Sequence, residues 1–282
     1  METLLTILQK TTGYFEKHGI ESPKLDAEHL IAHVLGCNRM QLYLDFERPM
    51  TDEVLAEIRP LMKRRAGREP LQYILGKESF MDFELKVDRR ALIPRPETEE
   101  LIERILEDYK KRERPRRILD LGTGTGAIAV ALARAFSEAE VIATDIAKDT
   151  LELAQENVVM LNLSDRVQLL QSDWFGSVKG KFDLIVSNPP YLRDEELKSV
   201  APELSAHEPV RALVSGPRGV ECIEILLRQA SAYLNPGCAM YLETGAEQRE
   251  AILDIASSLA ECSCEILRDL SGKNRFTRLS LK

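Results

Sequence analysis

No pair among the five cysteines, Cys37, Cys222, Cys238, Cys262 and Cys264, has CxxC spacing, and the four histidines do not stand with them at metal-ligand intervals. Reduced thiols and no bound metal are therefore expected. His29 and His33 stand four apart, but without a third ligand they read as a helix face. No apolar run reaches bilayer-spanning length, and Met1-Glu2-Thr3 opens the chain without a basic leader. Neither membrane insertion nor secretion is expected, and the cytoplasm is the expected location. Basic residues are outnumbered, 38 against 46 acidic ones, and the net charge is −8, which works against broad attraction to phosphate backbones and favours a protein or small-molecule substrate. No stable nucleic-acid partner is expected. The basic run Lys63, Arg64, Arg65 with Arg68 is the local exception, and is expected to be a solvated helix face.

What is present suits about two folded domains: 282 residues, 44% of them apolar and 30% charged with both signs mixed. From residue 4 to about 66, apolar residues recur at helical spacing, as in Leu4, Leu5, Leu8 and then Leu25, His29, Leu30, Val34. A small helical domain over 1–70 follows, with Ser22 and Thr51 as helix caps. Residues 71–74 and 83–87 flank Gly76 and are rich in aromatic and β-branched side chains, which predicts a β-hairpin linker over 71–90. Then comes Ile93-Pro94-Arg95-Pro96-Glu97-Thr98-Glu99-Glu100, where Pro96 and the acids suit the first turn of a helix, leaving Arg95 unexplained. Beyond Pro115, short apolar runs at 117–121, 141–144, 167–170, 182–187 and 240–243 alternate with helical stretches. Residues 91–282 are thus expected to form an α/β domain around a mainly parallel, doubly wound sheet, with ligands outside the carboxyl ends of its strands.

At the first such end stands Asp120-Leu121-Gly122-Thr123-Gly124-Thr125-Gly126, opening a helix over 127–135. Three glycines let the backbone turn tightly beside a nucleotide-type cofactor, and the spacing alone admits a dinucleotide. Asp145 ends the second strand, where a carboxylate accepts both hydroxyls of a ribose. Asp120 tips the balance: a carboxylate ahead of the glycines suits a positive amino group and would repel a pyrophosphate, which favours S-adenosylmethionine. Ser172-Asp173-Trp174-Phe175 follows the third strand; Trp174, the single tryptophan, offers a ring to adenine, and Asp173 a carboxylate to its amino group.

The fourth strand ends in Asn188-Pro189-Pro190-Tyr191. Two prolines fix the backbone and donate nothing, so carbonyls are held out as acceptors. The Asn188 side-chain carbonyl and the Pro189 carbonyl would then grip both hydrogens of one planar amino group, with Tyr191 covering its face. An amide nitrogen is a poor nucleophile, and such a clamp substitutes positioning for basicity. A carboxylate in the same place would confront two acceptors.

With the glycine loop, Asp145, Asn188-Pro189-Pro190-Tyr191 and Ile93-Pro94-Arg95-Pro96-Glu97-Thr98-Glu99 in order, the chain resembles the peptide chain release factor N5-glutamine methyltransferases (PrmC/HemK type) over nearly its whole length. The resemblance implies a class I, Rossmann-like S-adenosylmethionine-dependent methyltransferase domain with a seven-stranded, mostly parallel sheet, joined by the hairpin to a helical domain that docks the substrate. It implies transfer of a methyl group to N5 of the glutamine in the Gly-Gly-Gln motif of class-1 release factors, leaving S-adenosylhomocysteine; a monomer is expected. By position it assigns cofactor contacts to Asp120, Gly122, Thr123, Gly124, Thr125, Gly126, Asp145 and Trp174, places Asn188 between both ligands, and gives Pro189, Pro190 and Tyr191 to the glutamine; Asn188, Pro189 and Tyr191 would be the catalytic set. Asn-Pro-Pro-Tyr is shared with adenine N6-methyltransferases acting on DNA or RNA, the alternative reading; the Ile-Pro-Arg-Pro-Glu-Thr-Glu segment favours the glutamine enzymes. The chain departs from that pattern at His207, where an aromatic often precedes Glu-Pro, and at Asn274, where Asp-Arg is common.

Overall fold

Five helices follow one another from Leu4 to Leu75 in the structure, a computed structural model that describes residues 2–282. They are α1 (Leu4–Lys17), α2 (Pro23–Leu35), α3 (Arg39–Leu44), α4 (Asp52–Ala66) and α5 (Leu71–Leu75). The chain up to Lys77 forms one unit, together with Ala201–His207 from much later in the sequence; Glu78–Val200 and Glu208–Lys282 form the other.

In the helical unit, α1 turns Leu4, Leu8 and Phe15 inward onto Leu30 and Ile31 of α2, Leu42 of α3 and Ile58 of α4. Each such side chain, withdrawn from water, contributes about 1.5–3 kcal/mol. Thr51 caps α4 through the Val54 amide, as its sequence position predicts, whereas Ser22 occupies the cap of α2 without a side-chain hydrogen bond. Two expectations change here. Leu25 is exposed, while Asp26 and Glu28 beside it are buried; the inward stripe of α2 carries acids because each has a cation waiting. Glu28 accepts from Arg39 and Tyr43, and Asp26 from Arg65. Nor is the basic run a solvated face throughout. Arg65 is buried and donates to Asp26 at 2.6 Å, to the Glu69 carbonyl at 3.2 Å and to Glu203 at 3.1 Å, and Arg68 reaches Glu203 at 2.7 Å.

Residues 71–74 are helical, not the first arm of a hairpin. Pro70 precedes the helix, and Gly76 closes it in the left-handed region at φ 73°. Burial of Tyr73 and Ile74 side by side suits a helix turn, whereas a strand would have sent them to opposite faces. The hairpin lies just downstream, as β1 (Lys77–Phe80) and β2 (Phe83–Lys86).

The second unit runs α6 (Pro96–Tyr109), β3 (Arg117–Leu121), α7 (Ala127–Ala135), β4 (Glu140–Asp145), α8 (Lys148–Met160), β5 (Val167–Gln171) and β6 (Phe182–Ser187). It continues with a short parallel pair, β7 (Leu192–Arg193) and β8 (Val214–Gly216); between them in sequence comes α9 (Pro202–His207), which belongs to the helical unit. The chain closes with α10 (Glu221–Tyr233), β9 (Leu234–Glu243), α11 (Arg249–Ser257), β10 (Cys262–Arg268) and β11 (Asn274–Leu281). The main sheet has seven strands in the order β10-β11-β9-β6-β3-β4-β5, with β11 antiparallel to both neighbours. Near-continuous apolar runs such as Phe182–Ser187 lie buried, as a parallel sheet covered on both faces requires.

Strand order reverses at β3, which has β4 on one side and β6 on the other. Register makes this the ligand edge: Leu121 pairs with Thr144 and with Ser187, and Ser187 with Leu242. The next residues along those strands, Gly122, Asp145, Asn188 and Glu243, are thereby set side by side, at the switch point where open α/β sheets take their ligands.

Candidate active site

At that edge lies a cavity of 350 Å³. Gly122, Thr123, Gly124, Thr125, Asp145, Trp174, Asn188 and Pro190 all line it, as does Asp173. Asp120 lies fully buried, and Gly126, Pro189 and Tyr191 are not among the lining residues.

The glycine loop is held by its surroundings. Gly122 stands at φ 71°, with the Trp174 ring 3.6 Å from where a Cβ would sit, and Gly126 enters α7 at φ 85°. Both positions need a residue without a side chain, on grounds of backbone angle before any question of space. Thr123 Oγ1 donates to Asp120 Oδ2 at 2.6 Å, and the Ala129 amide donates to the same oxygen at 3.1 Å. Asn157 of α8 donates to the Thr125 carbonyl and to the Lys86 carbonyl, and accepts from the Lys86 amide, tying loop to hairpin.

Two carboxylates here are shifted upward. Asp120 Oδ1 is buried without a hydrogen-bond partner among the described residues. Burial raises this carboxyl to about 7, against the pull of the Thr123 and Ala129 bonds. Asp145 is raised as well, chiefly by burial, while its oxygens accept from the Gly124 amide at 3.2 Å and the Ala147 amide at 3.0 Å. An unsatisfied acceptor under a glycine loop, with a second carboxylate at the next strand end, fits a ligand that brings a cationic amino group and hydroxyls. Trp174 adopts φ 46°, a rare angle for a bulky side chain, in a turn pinned by Ser172 Oγ, which donates to the Trp174 carbonyl and accepts from the Ser177 amide.

Asn188 follows β6 and donates through Nδ2 to Thr98 Oγ1 at 3.1 Å; Thr98 in turn donates to Glu243 Oε2 at 2.7 Å. Thr98 and Glu243 are buried. The turn after Asn188 is anchored by Gln248, whose Nε2 donates at 2.8 Å to the carbonyls of both Tyr191 and Gly219. Tyr191 packs against the sheet core, and burial holds its hydroxyl far above the usual tyrosine range. Opposite, Arg211 lines the cavity and donates to Asp149, Thr150 and the Arg90 carbonyl.

Sequence reading missed Thr98, Glu243, Glu208, Gln248 and Arg211. The segment carrying Thr98 had been singled out, but as a helix start, and Glu243 only as a strand end. Arg95, which that reading left unexplained, forms an ion pair with the buried carboxylate of Glu208. Beside the departures at His207 and Asn274, Glu208 thus has a structural role, and Arg275 supplies a positive charge near Glu243.

Known proteins resemble this chain in both halves. The family described as PrmC N-terminal domain matches residues 6–76, and the methyltransferase small domain matches residues 98–218. The release factor glutamine methyltransferase of Rhodopirellula baltica is 39% identical, over 97% of this chain and 95% of its own. That of Geobacter sulfurreducens is 37% identical with the same coverage of 97% and 95%. Among solved structures, the hMettl16 catalytic domain in complex with a MAT2A 3′UTR hairpin aligns with a TM-score of 0.58, covering 79% of this chain and 81% of that one. At 17% identity that likeness is one of fold alone.

Proposed function

The chain belongs to the release factor glutamine methyltransferases, and on that premise we propose that it methylates N5 of the glutamine in the Gly-Gly-Gln motif of class-1 release factors, with Asn188 as the residue that presents the amide. The supporting observation is that Asn188 lines the cavity shared with the glycine loop while its amino group is committed to Thr98. Its carbonyl oxygen is thereby left as the acceptor for a substrate N–H.

S-adenosylmethionine, when bound, supplies the electrophilic methyl group. Asp120 Oδ1 would hold its amino group, Asp145 its ribose hydroxyls, and the backbone of Gly122, Thr123, Gly124, Thr125 and Gly126 its path over the sheet edge, with Trp174 beside the adenine. Asn188 and the Pro189 carbonyl would take the two amide hydrogens, holding the nitrogen in line and favouring its pyramidalisation. Pro190 and Tyr191 would stiffen and cover this turn. Such placement is worth up to about 7–11 kcal/mol of the barrier, so the transfer needs no strong general base. As the C–S bond breaks and the N–C bond forms, the methylated amide becomes strongly acidic and gives its extra proton to water, so Asn188 needs only to orient the nitrogen.

The test incubates the protein with methyl-labelled S-adenosylmethionine and a release factor, its Gln→Ala variant, or DNA and RNA. Label on the release factor, absent from the Gln→Ala variant, is the expected result. Label on nucleic acid alone overturns the reading.

A further inference from the structure

We infer that Thr98 and Glu243 are positioning residues that fix which end of the Asn188 amide faces the cavity, and so make the site select a substrate amino group over a carboxylate. This rests on the amide-clamp reading above.

A primary amide is nearly symmetric in shape but opposite in hydrogen-bonding sense at its two ends, so sterics alone cannot orient Asn188. The chain beside it can. A hydroxyl has one proton to give, and Thr98 spends it on Glu243 Oε2 at 2.7 Å. An ionised carboxylate only accepts, so the direction of that bond is fixed. Thr98 Oγ1 then has only lone pairs to turn toward Asn188, and the group that meets it at 3.1 Å is Nδ2. The flipped amide would set Oδ1 against the buried Thr98 Oγ1 with no proton between them, where an unmade bond is costly. Direction thus passes from a carboxylate through a hydroxyl to an amide, and ends as a carbonyl turned to the cavity.

Glu243 is fully buried at the end of β9, with Arg275 on the adjacent β11, Arg95 and Glu97 at the start of α6, and Tyr191 after β6 as the charged or titratable groups around it. Burial outweighs the two arginines and raises its carboxyl to about 7. Once protonated, Glu243 can donate to Thr98, which frees the Thr98 proton for Asn188 Oδ1 and removes the preference between amide orientations.

The experiment compares wild type with Thr98→Val, Thr98→Ser and Glu243→Gln. It measures cofactor affinity by calorimetry, kcat for a release factor across pH 5.5–8.5, and inhibition by the same factor carrying Glu in place of the target Gln. Thr98→Val is expected to bind cofactor within about twofold of wild type, lose at least about tenfold in kcat, and narrow the preference for the Gln factor over the Glu factor by at least about tenfold. Thr98→Ser, which keeps the hydroxyl, is expected to restore both. In wild type, kcat is expected to fall on the acid side with a midpoint near 7, and Glu243→Gln to lack that limb. Wild-type kcat and selectivity in Thr98→Val, failure of a natively melting Thr98→Ser to restore them, or survival of the acid limb in Glu243→Gln each overturn the inference while leaving the methyltransferase reading intact. Absence of any label on release factor with the wild-type protein would instead remove the clamp reading, and this inference with it.

Discussion

The guanidinium of Arg95 is ion-paired with the carboxylate of Glu208, which is buried and also accepts from the Ile93 amide at 3.3 Å. Burial raises the Glu208 carboxyl and Arg95 pulls it back. The pair joins two stretches that line the cavity, around Pro94 and around Pro209.

Arg95→Ala should therefore destabilise the protein by about 1–3 kcal/mol, the cost of stranding a buried acceptor, reduced because Arg95 itself is partly solvated. Glu208→Gln removes the stranded charge. The double variant should be more stable than the sum of the single losses by about 0.5–3 kcal/mol. Denaturant unfolding of the four proteins checks this; strict additivity would show that the two side chains do not interact.

Arg65 gives a sharper contrast, because its neighbours in sequence are solvated. Arg65→Ala leaves Asp26 and Glu203 facing a buried gap and should cost about 3–5 kcal/mol. Lys63→Ala, at an exposed position in the same helix turn, should stay within about 0.5 kcal/mol. Arg65→Lys should recover only part, since an ammonium cannot serve both carboxylates and the Glu69 carbonyl in one plane. Urea midpoints for the three variants decide it, and equal midpoints for Arg65→Ala and Lys63→Ala would restore the solvated-face reading.

These two cases also mark the limit of what the sequence discloses. Strands 117–121 and 182–187 and helix 127–135 are found where their periodicity and flanking glycines put them, because those signals are local. Gly122, Asp145 and Asn188 were legible for the same reason: each sits at the end of a readable strand. Thr98 and Glu243 were not, since they stand 145 positions apart in the chain and meet only because α6 packs against the end of β9. The phase of α2 was misread because hydrophobic periodicity assumes an apolar interior, whereas Asp26 and Glu28 are inside with their arginines. Residues 71–74 have strand-like composition but are helical, their fate decided by Pro70 and Gly76 at either end.

Asn188→Ala is expected to retain measurable cofactor binding and to lose at least about 10²-fold in kcat, the scale for removing one oriented polar contact at a reacting group. Calorimetry with S-adenosylmethionine and single-turnover methylation of a release factor separate the two effects. Turnover close to wild type would mean that Asn188 does not present the amide.

Asp120 gives a prediction in pH. Burial holds its carboxyl near 7 in the folded protein, whereas in the unfolded chain it titrates at the ordinary aspartate value of 3.8. The folded state therefore keeps a proton that the unfolded chain has lost between those values. The stability it confers is complete below 3.8 and disappears as pH rises through about 7. A cationic amino group placed at Oδ1 requires the ionised form, so cofactor binding should release a proton and weaken below pH 7 by up to about tenfold per unit. Asp120→Asn should bind more weakly at pH 8 yet lose most of that pH dependence, and its ligand-free melting temperature should fall less than wild type's between pH 5 and 8. Calorimetric titrations in buffers of different ionisation enthalpy count the proton directly. A wild-type affinity flat from pH 5.5 to 8 would mean that Asp120 is not the partner of the cofactor's amino group.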